Sequence, residues 1–173
     1  MSPGPAARPA PGLSWWVALR AVAWSALFAG TVGAYIPWRY FGVTLGRVRP
    51  ATPSLIAGLT VLGAGVALML ACVAEFVVRG RGTPAPMDAP RELVVHGPYR
   101  VVRNPMYVGM VLTLVGELVI AWSRGFALYV AGWFAIINLV VILYEEPTLR
   151  RKFGESYERY AREVGRWWPK PRR

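Results

Sequence analysis

The sequence predicts an all-α integral membrane protein, with about four transmembrane helices followed by a C-terminal cytoplasmic amphipathic helix. Three observations predict it. Of the 173 residues, 55% are hydrophobic and only 17% charged, against roughly 25% charged residues in a soluble domain. The apolar residues gather in four long runs, and the basic residues lie between and after them. The last thirty residues change character and show an apolar stripe at helical spacing instead.

A spanning helix needs ~20 mostly apolar residues to cross ~30 Å of hydrocarbon. The first run extends from about Leu13 to Ile36, with Arg20 near its start, where a long basic side chain can snorkel to the interface. The second extends from about Ser54 to Val78, with Glu75 near its end. The third extends from about Pro105 to Trp122 and carries Glu117, and the fourth from about Gly125 to Tyr144. Only Ser123-Arg124-Gly125 joins the last two, so they fold back as a tight antiparallel hairpin. Ala26, Gly30 and Ala34 recur at steps of four, as do Ala29 and Gly33, and Gly58, Gly63 and Gly65 lie in the second run. Small residues let helix backbones approach closely in lipid, within one bundle or between the copies of a homodimer.

From Pro147 onward Leu149, Phe153, Tyr157, Tyr160 and Val164 follow one another at helical steps. Glu155–Arg159 and Glu158–Arg162 are spaced as i,i+4 ion pairs. This helix either lies on the membrane surface or closes over a site. The domain division that follows is a tail over residues 1–12, two N-terminal transmembrane helices and a basic loop over 13–92, and a cofactor-binding core over 93–173. The tail is Pro- and Ala-rich and reads as disordered. The run after it is too long for a signal-peptide core and lacks a small-residue cleavage site.

The net charge of +11 would suggest nucleic acid in a soluble protein. Here the placement of the charges favours anionic lipid headgroups and excludes a nucleic-acid partner. Arg8, the five basic residues from Arg79 to Arg103 and the nine from Arg150 to Arg173 fall on one side of four spans; Arg39, Arg47, Arg49 and Arg124 fall on the other. That asymmetry places both termini and the second loop in the cytoplasm. Cys72 is the single cysteine, inside an apolar run, and reads as a packing residue. No metal-ligand set stands out.

Two motifs carry candidate chemistry. The first, His96-Gly97-Pro98-Tyr99-Arg100-Val101-Val102-Arg103-Asn104-Pro105-Met106-Tyr107-Val108-Gly109, leads into the third span. Gly97-Pro98 signals a turn, Pro105 suits a first helical turn and Asn104 is then a natural N-cap. A helix N-terminus flanked by two arginines is an anion site, or else a basic loop gripping headgroups. The second, Glu145-Glu146-Pro147, ends the fourth span. Two adjacent carboxylates oppose the helix dipole there, which implies either a ligand with cationic groups or ribose hydroxyls, or pairing with Arg150 and Arg151. The hairpin brings both motifs to one cytoplasmic mouth.

The run Gly97-Pro98-Tyr99-Arg100-x-x-Arg103-Asn104-Pro105-x-Tyr107-x-Gly109 resembles the signature of the isoprenylcysteine carboxyl methyltransferase family. Glu145-Glu146-x-x-Leu149-x-x-x-Phe153-Gly154-x-x-Tyr157-x-x-Tyr160, followed by Arg166-Trp167-Trp168-Pro169, resembles its C-terminal signature. Phosphatidylethanolamine N-methyltransferases share the paired glutamates. The resemblance covers roughly residues 93–169. It implies S-adenosyl-L-methionine as cofactor, held by Gly97, Pro98, Tyr99, Arg103, Asn104, Tyr107, Glu145 and Glu146. The family usually has His where this chain has Asn104, a side chain that hydrogen-bonds but does not titrate.

Methyl transfer from a sulfonium is an in-line displacement in which the protein supplies alignment and dryness. A carboxylate acceptor needs a cation to orient it, for which Arg100, Arg103 and Arg166 are the candidates; an amine acceptor must lose a proton, for which His96 or a carboxylate is the candidate base. The absence of a clear base tilts the reading toward O-methylation of an isoprenylcysteine-like carboxylate. Arg100, Trp167 and the intramembrane Glu117 are candidates for the lipophilic acceptor's site, Glu117 otherwise being structural. Alternatives are a phospholipid N-methyltransferase, an NADPH-dependent sterol-type reductase, whose family looks similar in its C-terminal half, and a non-catalytic membrane subunit. The expected partners are a lipophilic or lipidated acceptor and membrane lipids, with the chain a monomer or a homodimer.

Overall fold

Proline positions explain the layout of the helices. In the computed structural model, which describes residues 15–43, 52–79 and 93–171, helix α1 (Trp15–Gly30) opens into a π-helical turn at Thr31–Tyr35 and continues as α2 (Ile36–Phe41). Helix α5 (Arg124–Val140) likewise passes through a π-helical turn at Val141–Glu145 into α6 (Glu146–Phe153). Each π turn ends two residues before a proline, Pro37 or Pro147. A proline in a helix lacks the N–H and crowds the carbonyl four residues back, and a widened turn accommodates both defects. The sequence expectation ended the first span at Ile36 and the fourth at Tyr144; the chain instead stays helical through each proline. The proposed tail over residues 1–12, the loop over 44–51 and most of the basic loop, 80–92, lie outside the described residues.

Helix α3 (Pro53–Arg79) starts with Pro in its first turn, and Thr52 caps it through Leu55 N–H donating to Thr52 Oγ1 at 3.3 Å. Helix α4 (Pro105–Ile120) packs against α3 over the most extensive interface in the fold. Glycines make that approach possible. A Cβ on Gly65 would meet the Gly109 carbonyl oxygen at 2.5 Å, and one on Gly116 would meet the Gly58 carbonyl oxygen at 2.7 Å. A Cβ on Gly33 would stand 3.3 Å from the Met110 sulfur. A Cβ on Gly63 or Gly30 would meet nothing outside its own helix backbone within 4 Å, and Ala26, Gly30 and Ala34 form an exposed strip.

Ser123 accepts from Phe126 N–H and caps α5, so α4 and α5 form the expected hairpin. Met110, Leu114, Phe126 and Val130 make the core between them, joined by Phe28, Val32 and Phe41 of the first helix. The Tyr129 hydroxyl donates to the Val32 carbonyl at 2.9 Å, satisfying an acceptor within the π turn.

Among the described residues, the two helices long and apolar enough to cross a membrane are Pro53–Glu75 and the continuous Arg124–Phe153, while Pro105–Ile120 is a shorter apolar helix. At 1.5 Å per residue its 16 residues rise about 24 Å, short of the ~30 Å of a hydrocarbon core.

The C-terminal helix is broken where one continuous helix was expected. Gly154 adopts φ +52° and separates α6 from α7 (Glu155–Glu163). The apolar stripe survives the break: Tyr157, Tyr160 and Val164 are buried against Leu149, Phe153, Leu93 and Val95. The expected Glu155–Arg159 and Glu158–Arg162 pairs are not among the ion pairs of the described residues; Glu158 pairs with Arg150 at 3.2 Å across the break instead.

Candidate functional site

A short 3-10 turn, Gly97–Arg100, prepares the entrance to α4. Gly97 takes φ +53°, a conformation that suits glycine, and its Cα faces the Glu75 carboxylate of α3 so closely that a Cβ would collide with it. The Pro98 carbonyl accepts from Val101 and Val102 N–H at 3.0 and 3.3 Å. The chain then pairs with the C-terminal strap over residues 164–168: Val102 and Gly165 form a parallel bridge, and Arg103 N–H donates to the Gly165 carbonyl at 2.8 Å. Arg103 and Arg166, far apart in sequence, are thereby placed on one structural unit.

Glu146 is the centre of the site. It is only 6% exposed. Arg166 Nε and Nη2 donate to its two oxygens at 2.6 and 2.9 Å, and Arg103 Nη1 lies 3.2 Å from Oε1. Arg103 Nη1 also donates to the Tyr157 hydroxyl at 3.0 Å, and its buried Nε has no hydrogen-bond partner. Glu145, one residue earlier, accepts from the Tyr107 hydroxyl of α4. Side chains of adjacent residues diverge by about 100° in an α-helix of 3.6 residues per turn. The π turn ending at Glu145 advances less per residue, so both carboxylates reach toward α4 and the strap.

The hydrogen bond to Glu146 raises the affinity of Arg166 for its proton. Burial pushes the phenols of Tyr99 and Tyr160 up, and that of Tyr157 up against the opposing charge of Arg103. These hydroxyls are neutral hydrogen-bonding groups rather than bases.

The site candidates read from the sequence divide into three sets. Arg103, Tyr107, Glu145, Glu146 and Arg166 form the cluster. Gly97, Pro98, Tyr99 and Asn104 build its frame. The Tyr99 hydroxyl shares a hydrogen bond with the Cys72 thiol on α3, and its carbonyl accepts from the Tyr160 hydroxyl at 2.7 Å. Asn104 sits at the N-cap of α4 but does not cap it with its side chain, contrary to expectation. Its Nδ2 donates to the Arg166 carbonyl at 3.2 Å and fastens the strap.

The third set stands apart. His96 is exposed ahead of the turn and makes no side-chain contact with the cluster. Arg100 is exposed and lines a separate groove with α7. Glu117 lies three helical turns along α4, with Oε2 buried and without a hydrogen-bond partner. Trp167 borders the cluster from the strap: its Nε1 donates to Asn138 Oδ1 of α5 at 2.9 Å, and its ring packs 5.4 Å from that of Phe134.

Sequence reasoning missed Asn138 and the direct contact of Tyr157 with Arg103. Asn138 carries a signal, a polar amide in an otherwise apolar run; Tyr157 was absorbed into the packing stripe. No group of three His, Cys, Asp or Glu side chains able to hold a metal occurs among the described residues.

Residues 53–156 match the model of the phospholipid methyltransferase family. The chain is 36% identical over 77 residues to a probable protein-S-isoprenylcysteine O-methyltransferase of Oryza sativa subsp. indica, and equally to that of subsp. japonica, covering 42% of this chain and 38% of each relative. It is 35% identical over 79 residues to the nickel-cobalt-cadmium resistance protein NccN of Alcaligenes xylosoxydans xylosoxydans, covering 46% of this chain and 37% of that protein. The chain thus spans little more than a third of the length of these curated relatives. No solved structure matches.

Proposed function

Since the chain belongs to the phospholipid methyltransferase family, we propose that it is an S-adenosyl-L-methionine-dependent methyltransferase of the membrane, acting on a lipophilic acceptor whose methylated group is a carboxylate, as in an isoprenylcysteine. The observation that carries this reading is the convergence of Arg103, Arg166, Glu146 and the Tyr107–Glu145 pair in one cluster. In the topology that goes with it, four helical passes place both termini and this cluster on the cytoplasmic side, where the basic residues concentrate.

The cluster fits the cofactor's chemistry. Arg103 holds a buried Nε–H with no partner, a donor suited to a carboxylate. Glu145, oriented by Tyr107, offers an acceptor for an ammonium or for ribose hydroxyls. Glu146 fixes both guanidiniums. When bound, the cofactor supplies an electrophilic methyl group on sulfur. Arg166, the more exposed of the two arginines, is positioned to orient an acceptor carboxylate from the strap, while the strap and the Trp167–Asn138 bond limit entry of water. O-methylation needs no base, and the buried phenols of Tyr99, Tyr157 and Tyr160 offer none; Asn104, where the resembled family has His, binds a backbone carbonyl.

The family's own description favours a second reading, N-methylation of a phospholipid amine. The rice relatives' names support the carboxylate. A nicotinamide cofactor is disfavoured by Glu145 and Glu146, which repel phosphates. The experiment is twofold. In detergent, S-adenosylhomocysteine should raise the unfolding temperature and NADPH should not. Labelled methyl transfer to a farnesylcysteine analogue, with none to phosphatidylethanolamine, is the expected outcome; the reverse pattern replaces the carboxylate reading with the amine one.

A further inference from the structure

Beside α7, and bordered by none of Arg103, Glu146, Arg166 or Tyr157, lies a groove of about 1160 Å³. Arg100, Arg159, Arg162 and Lys170 line it together with the apolar side chains of Leu93 and Val95; among the described residues Glu163 is the single carboxylate in its wall. Arg159 and Arg162 stand three residues apart and so share a helix face. Neither they nor Arg100 has an ion-pair partner among the described residues, and Glu158 pairs with Arg150 instead. Lys170 Nζ donates to the Ala161 and Arg162 carbonyls at 2.9 and 3.0 Å, so its charge sits on the negative end of α7. Four cations around one concavity, three of them unpaired, make a strongly anion-seeking surface.

The position of the groove identifies the anion. Arg100 closes the turn that leads directly into α4, and Trp168, 81% exposed, precedes Lys170 by two residues. A tryptophan presented in this way belongs at the membrane–water boundary. The groove therefore opens at headgroup depth, with an apolar wall beside its cations.

We propose that this groove binds the phosphodiester headgroup of an anionic phospholipid of the cytoplasmic leaflet, as a site separate from the methyl-transfer cluster. The site rests on the membrane placement given under the proposed function but not on methyl transfer. Juxtamembrane basic residues are drawn to an anionic leaflet, and the concave wall adds selectivity for a headgroup carrying a short apolar stem. A lipid seated there braces α7, whose opposite side carries the Tyr157–Arg103 contact.

The test uses the full chain purified in a neutral detergent. Dihexanoylphosphatidylglycerol should raise its unfolding temperature saturably and in a salt-dependent manner, and dihexanoylphosphatidylcholine should not. In the double variant R159Q/R162Q the apparent affinity should fall at least tenfold, while stabilisation by S-adenosylhomocysteine is retained. Glu163→Gln should strengthen binding several-fold, which guards against a variant that merely misfolds. An equal response of wild type and double variant overturns the proposal, as does an equal effect of the choline lipid. Saturable stabilisation by inorganic phosphate or a poly-glutamate peptide, without any by the glycerol lipid, overturns it too. Loss of the homocysteine response with the lipid response intact would strike the methyltransferase reading alone.

Discussion

Arg166 grips Glu146 with two nitrogens of its guanidinium, at 2.6 and 2.9 Å, across twenty residues of sequence and the break at Gly154. The contact ties the strap to the start of α6, and it fixes the orientation of the Arg166 guanidinium. A fork of this kind is specific to arginine.

Replacing Arg166 should therefore separate binding from folding. Arg166→Ala should cost about 1.5–3 kcal/mol of stability, the range for a charge-assisted hydrogen bond. It should weaken stabilisation by S-adenosylhomocysteine at least tenfold. Arg166→Lys should recover part of the stability and little of the ligand response, since an ammonium cannot make the paired contact. Thermal unfolding with and without the ligand reads both, and full ligand response in the lysine variant would remove the fork from the site.

Tyr107 acts through Glu145. Its ring packs edge-on against Trp133, with centroids 6.5 Å apart, and Tyr107→Phe keeps that packing while deleting the hydroxyl. The expected loss of stability is about 1 kcal/mol. The expected loss of cofactor affinity is larger, on the order of tenfold, because a carboxylate free to rotate no longer presents a fixed acceptor. Isothermal titration with S-adenosylhomocysteine checks this; unchanged affinity with reduced stability would make Tyr107 purely structural.

The glycines of α3 and α4 give a sharper test of the fold. Gly65→Val and Gly116→Val each drive a side chain into the backbone of the facing helix, and both should prevent recovery of folded protein. Gly63→Ala has open space around it and should be neutral or stabilising by up to about 1 kcal/mol, the helical cost of glycine. Equal yields from all three variants would mean that the α3–α4 contact does not hold the bundle together.

These same glycines show where sequence reasoning reaches and where it stops. Their spacing marked the second run as a packing helix, but spacing cannot say which of Gly58, Gly63 and Gly65 faces a partner. Only the facing residues Gly109 and Gly116 settle it. The meeting of Arg103 with Glu146 was legible because the two motifs flank a pair of helices joined by a three-residue turn, which leaves them little freedom to separate. The helix break was not legible. Gly154 sits within an uninterrupted apolar stripe, and that stripe is equally satisfied by one straight helix or by two that fold together on Tyr157 and Tyr160. The π turns were hidden for a related reason: Pro37 and Pro147 read as stops, whereas tertiary contacts such as Tyr129 to Val32 satisfy the widened backbone and let the helix continue.

On the proposed reading Asn138 and Trp167 belong to the acceptor side of the cluster, so disturbing them should change acceptor use and leave the cofactor response intact. Asn138→Leu removes the acceptor of the indole N–H, and Trp167→Phe removes the donor while keeping a ring against Phe134. Hydrogen bonds between membrane helices couple by about 0.6 kcal/mol on average and at most about 1.7. The double variant should therefore be no worse than the more damaged single variant, by a margin of that size. KM for a farnesylcysteine analogue should rise several-fold in all three, with stabilisation by S-adenosylhomocysteine unchanged. Strictly additive effects would show that the two side chains act separately. A matching fall in the homocysteine response would move Trp167 from the acceptor's side of the site to the cofactor's.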